Sequence, residues 1–150
     1  PPVLSAPSGA ERVDLSGKLV DVLYPRWWAE AESASETRLL TLIALAAMAG
    51  RVDELVVMAD FLTTSWLSQH RYREAQILLD RVIEPAARHH ALLLNLAWAV
   101  GWLGDQEIAG TLLREAAASC PLTADKERGD ILFHFARWLL GRDTSTKGSN

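Results

Sequence analysis

Four histidines and one cysteine are the side chains in this sequence best suited to chemistry, and their spacing limits what that chemistry is. His134 follows Asp130 by four residues, which on a helix sets an imidazole beside a carboxylate, for a hydrogen bond or, with further ligands, a metal. His89 and His90 are adjacent at the start of a predicted helix, where neighbours diverge by about 100° and do not readily share an ion. The paired Glu-x-x-His of helical di-iron sites is missing. Cys120, just before Pro121, is a lone thiol that serves either as a reactive group or as a small packing residue. No Gly-rich phosphate loop, dinucleotide fingerprint or H-E-x-x-H zinc motif occurs. Serine, histidine and aspartate are present, but a nucleophilic triad is a matter of geometry and not of inventory. Arg71, Arg73, Arg81 and Arg88, with His89 and His90, make the middle of the chain basic, yet Glu74, Asp80 and Glu84 are interleaved among them. Such interleaving reads as ion pairs on a solvated helix face. The expectation is no catalysis, no cofactor and no bound metal.

Composition narrows the classes further. The 150 residues carry 15 basic and 19 acidic side chains, net −4, which lacks the basic face a nucleic-acid partner requires. Forty-nine per cent of the residues are apolar and six are tryptophan, enough to build one core and too many for a disordered chain. The single cysteine excludes an internal disulfide and fits a reducing, cytoplasmic setting. The apolar runs Leu39–Ala49 and Leu92–Leu103 fall short of the about 20 residues that span a bilayer. Neither a secretory signal nor a methionine opens the chain, which reads as a piece of a longer protein.

The elements that must position these groups are helices throughout. Residues 1–10, rich in proline, serine and glycine, read as a flexible leader, residues 11–141 as one helical domain, and residues 142–150 as a disordered tail. A first helix is expected within Glu11–Tyr24, stopped by Pro25, with a second over Arg26–Ala34. Ser35 is placed to cap the next helix, which Gly50 ends, and Asp53 to cap one reaching Ser68. Helices follow over Tyr72–Glu84, His89–Leu103, Gln106–Ser119 and Thr123–Leu140, the last ended by Gly141. The short links after Gly50, His70 and Gly104 impose antiparallel neighbours. The total is seven or eight helices and no strand.

One unit is written twice, 34 residues apart. Leu62, Thr63, Trp66, the turn His70–Ala75, Leu79 and Val82 return in kind as Leu96, Ala97, Val100, the turn Gly104–Ala109, Leu113 and Ala116. Self-similarity at this period marks a helical solenoid, and the pattern resembles a tetratricopeptide repeat (TPR). Its small-residue positions are filled by Thr63, Ala75, Ala97, Ala109 and Ala116, and its closing proline by Pro121. The first copy departs, with His70 for the turn glycine, Val82 for a small residue and Pro85 two positions early. The resemblance implies an all-α, right-handed superhelix with repeats over residues 56–89 and 90–123 and a capping helix over 123–140. A compact helical bundle is the alternative architecture.

The resemblance also implies a concave groove lined by the first helix of each pair. The matching positions are Val57, Asp60, Phe61, Thr64 and Leu67, then Ala91, Leu94, Asn95, Trp98 and Trp102, then Leu132 and Phe135. Family members that clamp a peptide's terminal carboxylate do so through basic residues, and those positions hold Asp60, Ala91, Asp125 and Gly129 here, so no clamp is expected. Trp98 and Trp102, four apart, share one helical face that is either groove or core. The groove version is apolar and aromatic and suits an amphipathic helix or an extended apolar segment of another protein. The functional expectation is a non-catalytic interaction module, in size and acidity similar to the small helical-repeat chaperones of bacterial type III secretion. A regulatory or scaffolding segment of a larger signalling protein is the second reading, and a helical enzyme or lipid-binding bundle the third. Apolar helix faces also allow a homodimer.

Overall fold

The computed structural model describes residues 6, 8–29 and 35–147, the side chains of 29 and 142–147 excepted. Among the described residues there are seven helices and no strand: α1 (Gly9–Ala29), α2 (Glu36–Ala49), α3 (Val52–Ser68), α4 (Tyr72–Val82), α5 (His90–Trp102), α6 (Gln106–Ser119) and α7 (Asp125–Lys147). Each helix packs on its neighbours in the chain, and α5 additionally meets α3 on one side and α7 on the other. α5 therefore touches four helices, and only an element apolar on nearly all faces can do that. Leu92, Leu93, Leu96, Ala97, Ala99 and Val100 are buried along it.

Local chemistry explains most of the helix boundaries. Ser8 and Glu11 form a reciprocal cap at the start of α1, the hydroxyl accepting from the Glu11 N–H at 3.2 Å and the carboxylate from the Ser8 N–H at 3.1 Å. The helix thus begins inside the expected leader, of which residues 1–5 and 7 lie outside the described residues. Ser35 caps α2 as expected, its hydroxyl accepting from the Arg38 N–H. Pro25, however, lies inside α1 instead of dividing two helices. It forgoes one backbone hydrogen bond there, and the side chains beyond it hold the helix in place. Trp28 stands edge-on to Phe61 of α3 at 5.3 Å and stacks with Tyr24 at 6.0 Å, while the Arg38 guanidinium lies over Trp27. Residues 30–34, the remainder of the expected second helix, lie outside the described residues.

Three connections are the same turn. Gly50 (φ +68°), His70 (φ +61°) and Gly104 (φ +102°) take left-handed backbone after α2, α3 and α5. In each, the next residue donates its N–H to the carbonyl five positions back, Arg51 to Ala46, Arg71 to Trp66 and Asp105 to Val100, all at 2.9 Å. This closes one helix, and the donating residue is at once the N-cap of the next. The expected cap at Asp53 is corrected accordingly: α3 starts at Val52 with Arg51 as N-cap, and Asp53 sits in the first turn, where a carboxylate suits the positive end of the helix dipole. His70 occupies the glycine position of this turn. Its Nδ1 is hydrogen-bonded to the Tyr72 hydroxyl at 2.7 Å, which holds a conformation that side chains other than glycine rarely adopt.

The 34-residue echo is repeated in burial. Leu62 and Leu96, Thr63 and Ala97, Trp66 and Val100, Ala75 and Ala109, Leu79 and Leu113, and Val82 and Ala116 are all buried. Two arginines tie consecutive helices from outside. Arg71 pairs with Glu74 and Glu36 and lies over Trp66, whose Nε1–H donates to Glu36 at 3.0 Å, joining α2, α3 and α4. Arg88, after α4, grips Glu115 of α6 with two hydrogen bonds and Glu84 with a third. Both guanidiniums hold their partners Glu36, Glu74 and Glu115 below the usual carboxylate pKa.

α7 runs on past the expected stop at Gly141 to Lys147. A glycine ends a helix when it takes left-handed backbone, and among the described glycines only Gly50 and Gly104 do so. The tail expected over residues 142–150 is therefore helical to 147, and residues 148–150 lie outside the described residues. α7 is pinned to α6 by Trp138, which is buried over Gly110 and donates its Nε1–H to the Gln106 carbonyl at 2.7 Å.

Candidate functional site

α3, α5 and α7 converge on a cavity of about 400 Å³ whose polar groups come from all three helices. α3 contributes Asp60 and Thr64, α5 contributes His90, Leu94, Asn95 and Trp98, and α7 contributes Lys126, Glu127, Asp130, Ile131 and His134. Asn95 is its best-fixed polar side chain, 5% exposed, with Nδ2 donating to Asp60 Oδ1 at 2.8 Å and to Thr63 Oγ1 at 3.0 Å. Thr63 in turn donates to the Ala59 carbonyl at 2.7 Å, so Asn95 is locked to α3 through a buried chain of hydrogen bonds. Polar groups buried and fully partnered in this way fix an orientation that an apolar contact would leave free.

A second, wider concavity of about 720 Å³ lies between α5, α6 and α7 and shares Trp98 and His134 with the first. Its walls mix apolar and polar groups: Ala97, Gly101 and Trp102 from α5, Gln106, Glu107, Ala109 and Leu113 from α6, and Arg137 and Trp138 from α7. Trp98 is half-buried and packs against His134 with ring centroids 5.0 Å apart. Trp102 is 59% exposed and stacks flat on Tyr72 at 5.5 Å, continuing the aromatic surface onto α4. Beneath these rings α5 and α6 pack through small residues, and a Cβ on Gly101 would sit in ordinary contact with the Ala109 methyl at 3.5 Å.

The electrostatics of the first cavity are uneven. It carries three carboxylates against the one ammonium of Lys126, which among the described residues pairs with none of them. Burial, and secondarily the Arg137 guanidinium, push His134 below the ordinary imidazole pKa, while Asp130 pulls the other way. His89, the N-cap of α5, is likewise lowered, first by burial and then by His90, against which its ring is stacked at 4.1 Å. A neutral His89 is also what its capping role requires, because Nδ1 accepts from the Ala91 N–H at 3.2 Å. Among the described residues no group of three His, Cys, Asp or Glu side chains is close enough to hold a metal ion. Nor is any helix long and apolar enough to cross a membrane. Cys120 is buried with its thiol toward the Pro121 carbonyl.

The residues read from sequence as groove-lining separate into three groups. Asp60, Thr64, Leu94, Asn95 and Trp98 line the first cavity, and Trp98 and Trp102 the second. Leu67 is 1% exposed and belongs to the core. Phe61 is turned toward Trp28, Phe135 packs against Trp138 at 5.6 Å, and Leu132 is exposed outside both cavities. The two concavities thus share Trp98 and both mix apolar with polar walls, the first carrying the carboxylates Asp60, Glu127 and Asp130. Lys126, Glu127 and Arg137 were not signalled by sequence, because α7 lies beyond the clear repeats and its register on α5 is set by packing. His134 and Asp130 were signalled by their spacing, for a hydrogen bond or, with further ligands, a metal, and among the described residues no group of three such side chains gathers there. No known protein family, curated protein or solved structure matches this chain.

Proposed function

We propose that the chain is a non-catalytic, TPR-like interaction module. In this reading its helix pairs form a right-handed superhelix, α3, α5 and α7 make the inner face, and that face holds a segment of a partner protein against Trp98. The observation that carries it is the sharing of Trp98 and His134 by two adjoining concavities, which makes one half-buried indole a wall of both. The packing of α5 on both α3 and α7, the repeated turns and the 34-residue echo in burial support the same arrangement. Several of the groups that could otherwise do chemistry are committed to structure: His89 to a helix cap, Arg71 and Arg88 to ion pairs, Cys120 to packing.

Trp98→Ala tests this. An aromatic anchor in a binding surface typically costs about 2 kcal/mol or more of affinity when truncated, whereas a core tryptophan costs about 3–5 kcal/mol of folding stability. The expected variant unfolds cooperatively with modest destabilisation and no longer binds the partner that wild-type protein recovers from its source cell, measured by titration with both proteins purified. Undiminished binding by a folded variant refutes the reading. Loss of the fold assigns the ring to the core and refutes it equally.

A further inference from the structure

The first cavity has the chemistry of a receptor for one particular side chain, and we propose that this is an arginine of the bound segment. The inference rests on the interaction-module reading and specifies its ligand. Its acceptors come from separate helices: Asp60 on α3, Asn95 on α5, Glu127 and Asp130 on α7. Asn95 supplies an observation independent of the acidic cluster. Its Nδ2 is fully engaged with α3, and Oδ1 accepts no hydrogen bond among the described residues. Among the described residues no buried side-chain oxygen or nitrogen is sealed without a partner. The Asn95 oxygen, on a residue 5% exposed, is therefore open to the cavity that the residue lines, an acceptor held in a fixed orientation.

The kind of donor follows from the spacing. The acceptors are too dispersed to converge on a metal ion. A guanidinium is the cation that suits dispersed acceptors, because five N–H donors radiate from a planar fork, whereas an ammonium is a compact point charge. The cavity also provides for the stem. Leu94 and Ile131 offer apolar surface to methylenes, and Trp98 presents an indole on which a guanidinium can lie. Since Trp98 also walls the second concavity, a segment whose arginine enters the first cavity places a neighbouring apolar residue against Trp102, Leu113 and Trp138 of the second. The occupant is thus a peptide segment carrying an arginine close to an aliphatic or aromatic residue.

The test uses displayed random 12-residue peptides as the probe, selected in parallel on the full chain, on Trp98→Ala and on the isosteric double variant Glu127→Gln/Asp130→Asn. Neither Glu127 nor Asp130 takes part in a hydrogen bond or ion pair among the described residues, so the double variant keeps the fold. The wild-type pool should be enriched in arginine near an apolar residue, the double variant's pool only in the apolar residue, and Trp98→Ala should retain neither. Replacing the arginine of a selected peptide by citrulline removes charge with little change of shape. It should weaken binding to wild-type protein about tenfold or more and weaken binding to the double variant less. A pool that depends on Trp98 but shows no arginine enrichment, or a citrulline peptide that binds equally well, overturns the arginine receptor while leaving the interaction module standing. A pool indifferent to Trp98→Ala overturns both.

Discussion

Gly110→Ala is the most informative single-atom change in this fold, because general helix chemistry and local packing predict opposite signs. A methyl group in a helix interior normally stabilises it by about 1 kcal/mol relative to glycine. Here the added Cβ would stand 2.3, 2.7 and 2.9 Å from three ring atoms of Trp138. Carbon atoms pack best at about 3.5–4.0 Å, so the indole must retreat by roughly 1 Å or more. Trp138 is 7% exposed and its Nε1–H bonds the Gln106 carbonyl, so retreat means lost burial and a stretched hydrogen bond. Overpacking of about 1–3 kcal/mol and a hydrogen bond of about 1 kcal/mol, less the helix gain, leave a net loss of roughly 2 kcal/mol. Urea unfolding followed by circular dichroism gives the number. In a Trp138→Leu background the clash is gone and the same substitution should stabilise by up to about 1 kcal/mol, a coupling of about 3 kcal/mol across the cycle. Equal stabilisation in both backgrounds would refute the placement of α7 on α6.

Three further outcomes are expected. Ala75→Leu should lower stability by about 1–3 kcal/mol, since Ala75 is fully enclosed, whereas Ala109→Leu should cost less because that side borders the wider concavity; equal unfolding midpoints for Ala75→Leu and wild type would contradict this. His89 has a folded-state pKa below its unfolded value of about 6.5, so the unfolded chain binds the extra proton, and stability is whole above that pH and falls as pH drops through the folded value. His134 acts with the same sign, so His89→Ser, which keeps a cap without the titration, should reduce the decline between about pH 7.5 and 5 but not abolish it; identical pH slopes would exclude a lowered His89 pKa. His70→Gly relieves left-handed backbone strain of about 1 kcal/mol at the loss of the Tyr72 contact, so its unfolding midpoint should rise slightly or stay level; a large drop would show that the imidazole, and not the backbone, holds the turn.

What could be read from sequence is what depends on near neighbours or on exact repetition. Ser35 and Gly50 mark the ends of α2 because caps act over three or four residues. The paired positions from Leu62 to Ala116 are buried because the same local unit recurs in the same packing. What escaped depends on distant partners. Pro25 stays helical because Trp28 is held by Phe61, 33 positions on. The same contact turns Phe61 away from the cavities. Gly141 lacks the left-handed backbone that its residue type permits, and Trp138 is decided by a missing side chain at Gly110. The acidic wall of the first cavity comes from α7, which has no counterpart in the two clear repeats to predict its register.

The four-sided burial of α5 has a consequence for how the protein is made. A chain emerges from the ribosome N-terminus first, so α5 appears with α3 and α4 ready to receive one side of it and nothing yet to cover the other. Trp138, which pins α7 in place, is synthesised 36 residues after Trp102, and at about 5–20 residues per second that gap lasts roughly 2–7 s. Until α6 arrives early in this interval, a helix of leucine, alanine and tryptophan faces water on one side, and the part that α7 covers stays open to the end of it. Release of the nascent chain before α6 and α7 have emerged would set free a product with the central helix half uncovered, a ready substrate for aggregation or for holding chaperones.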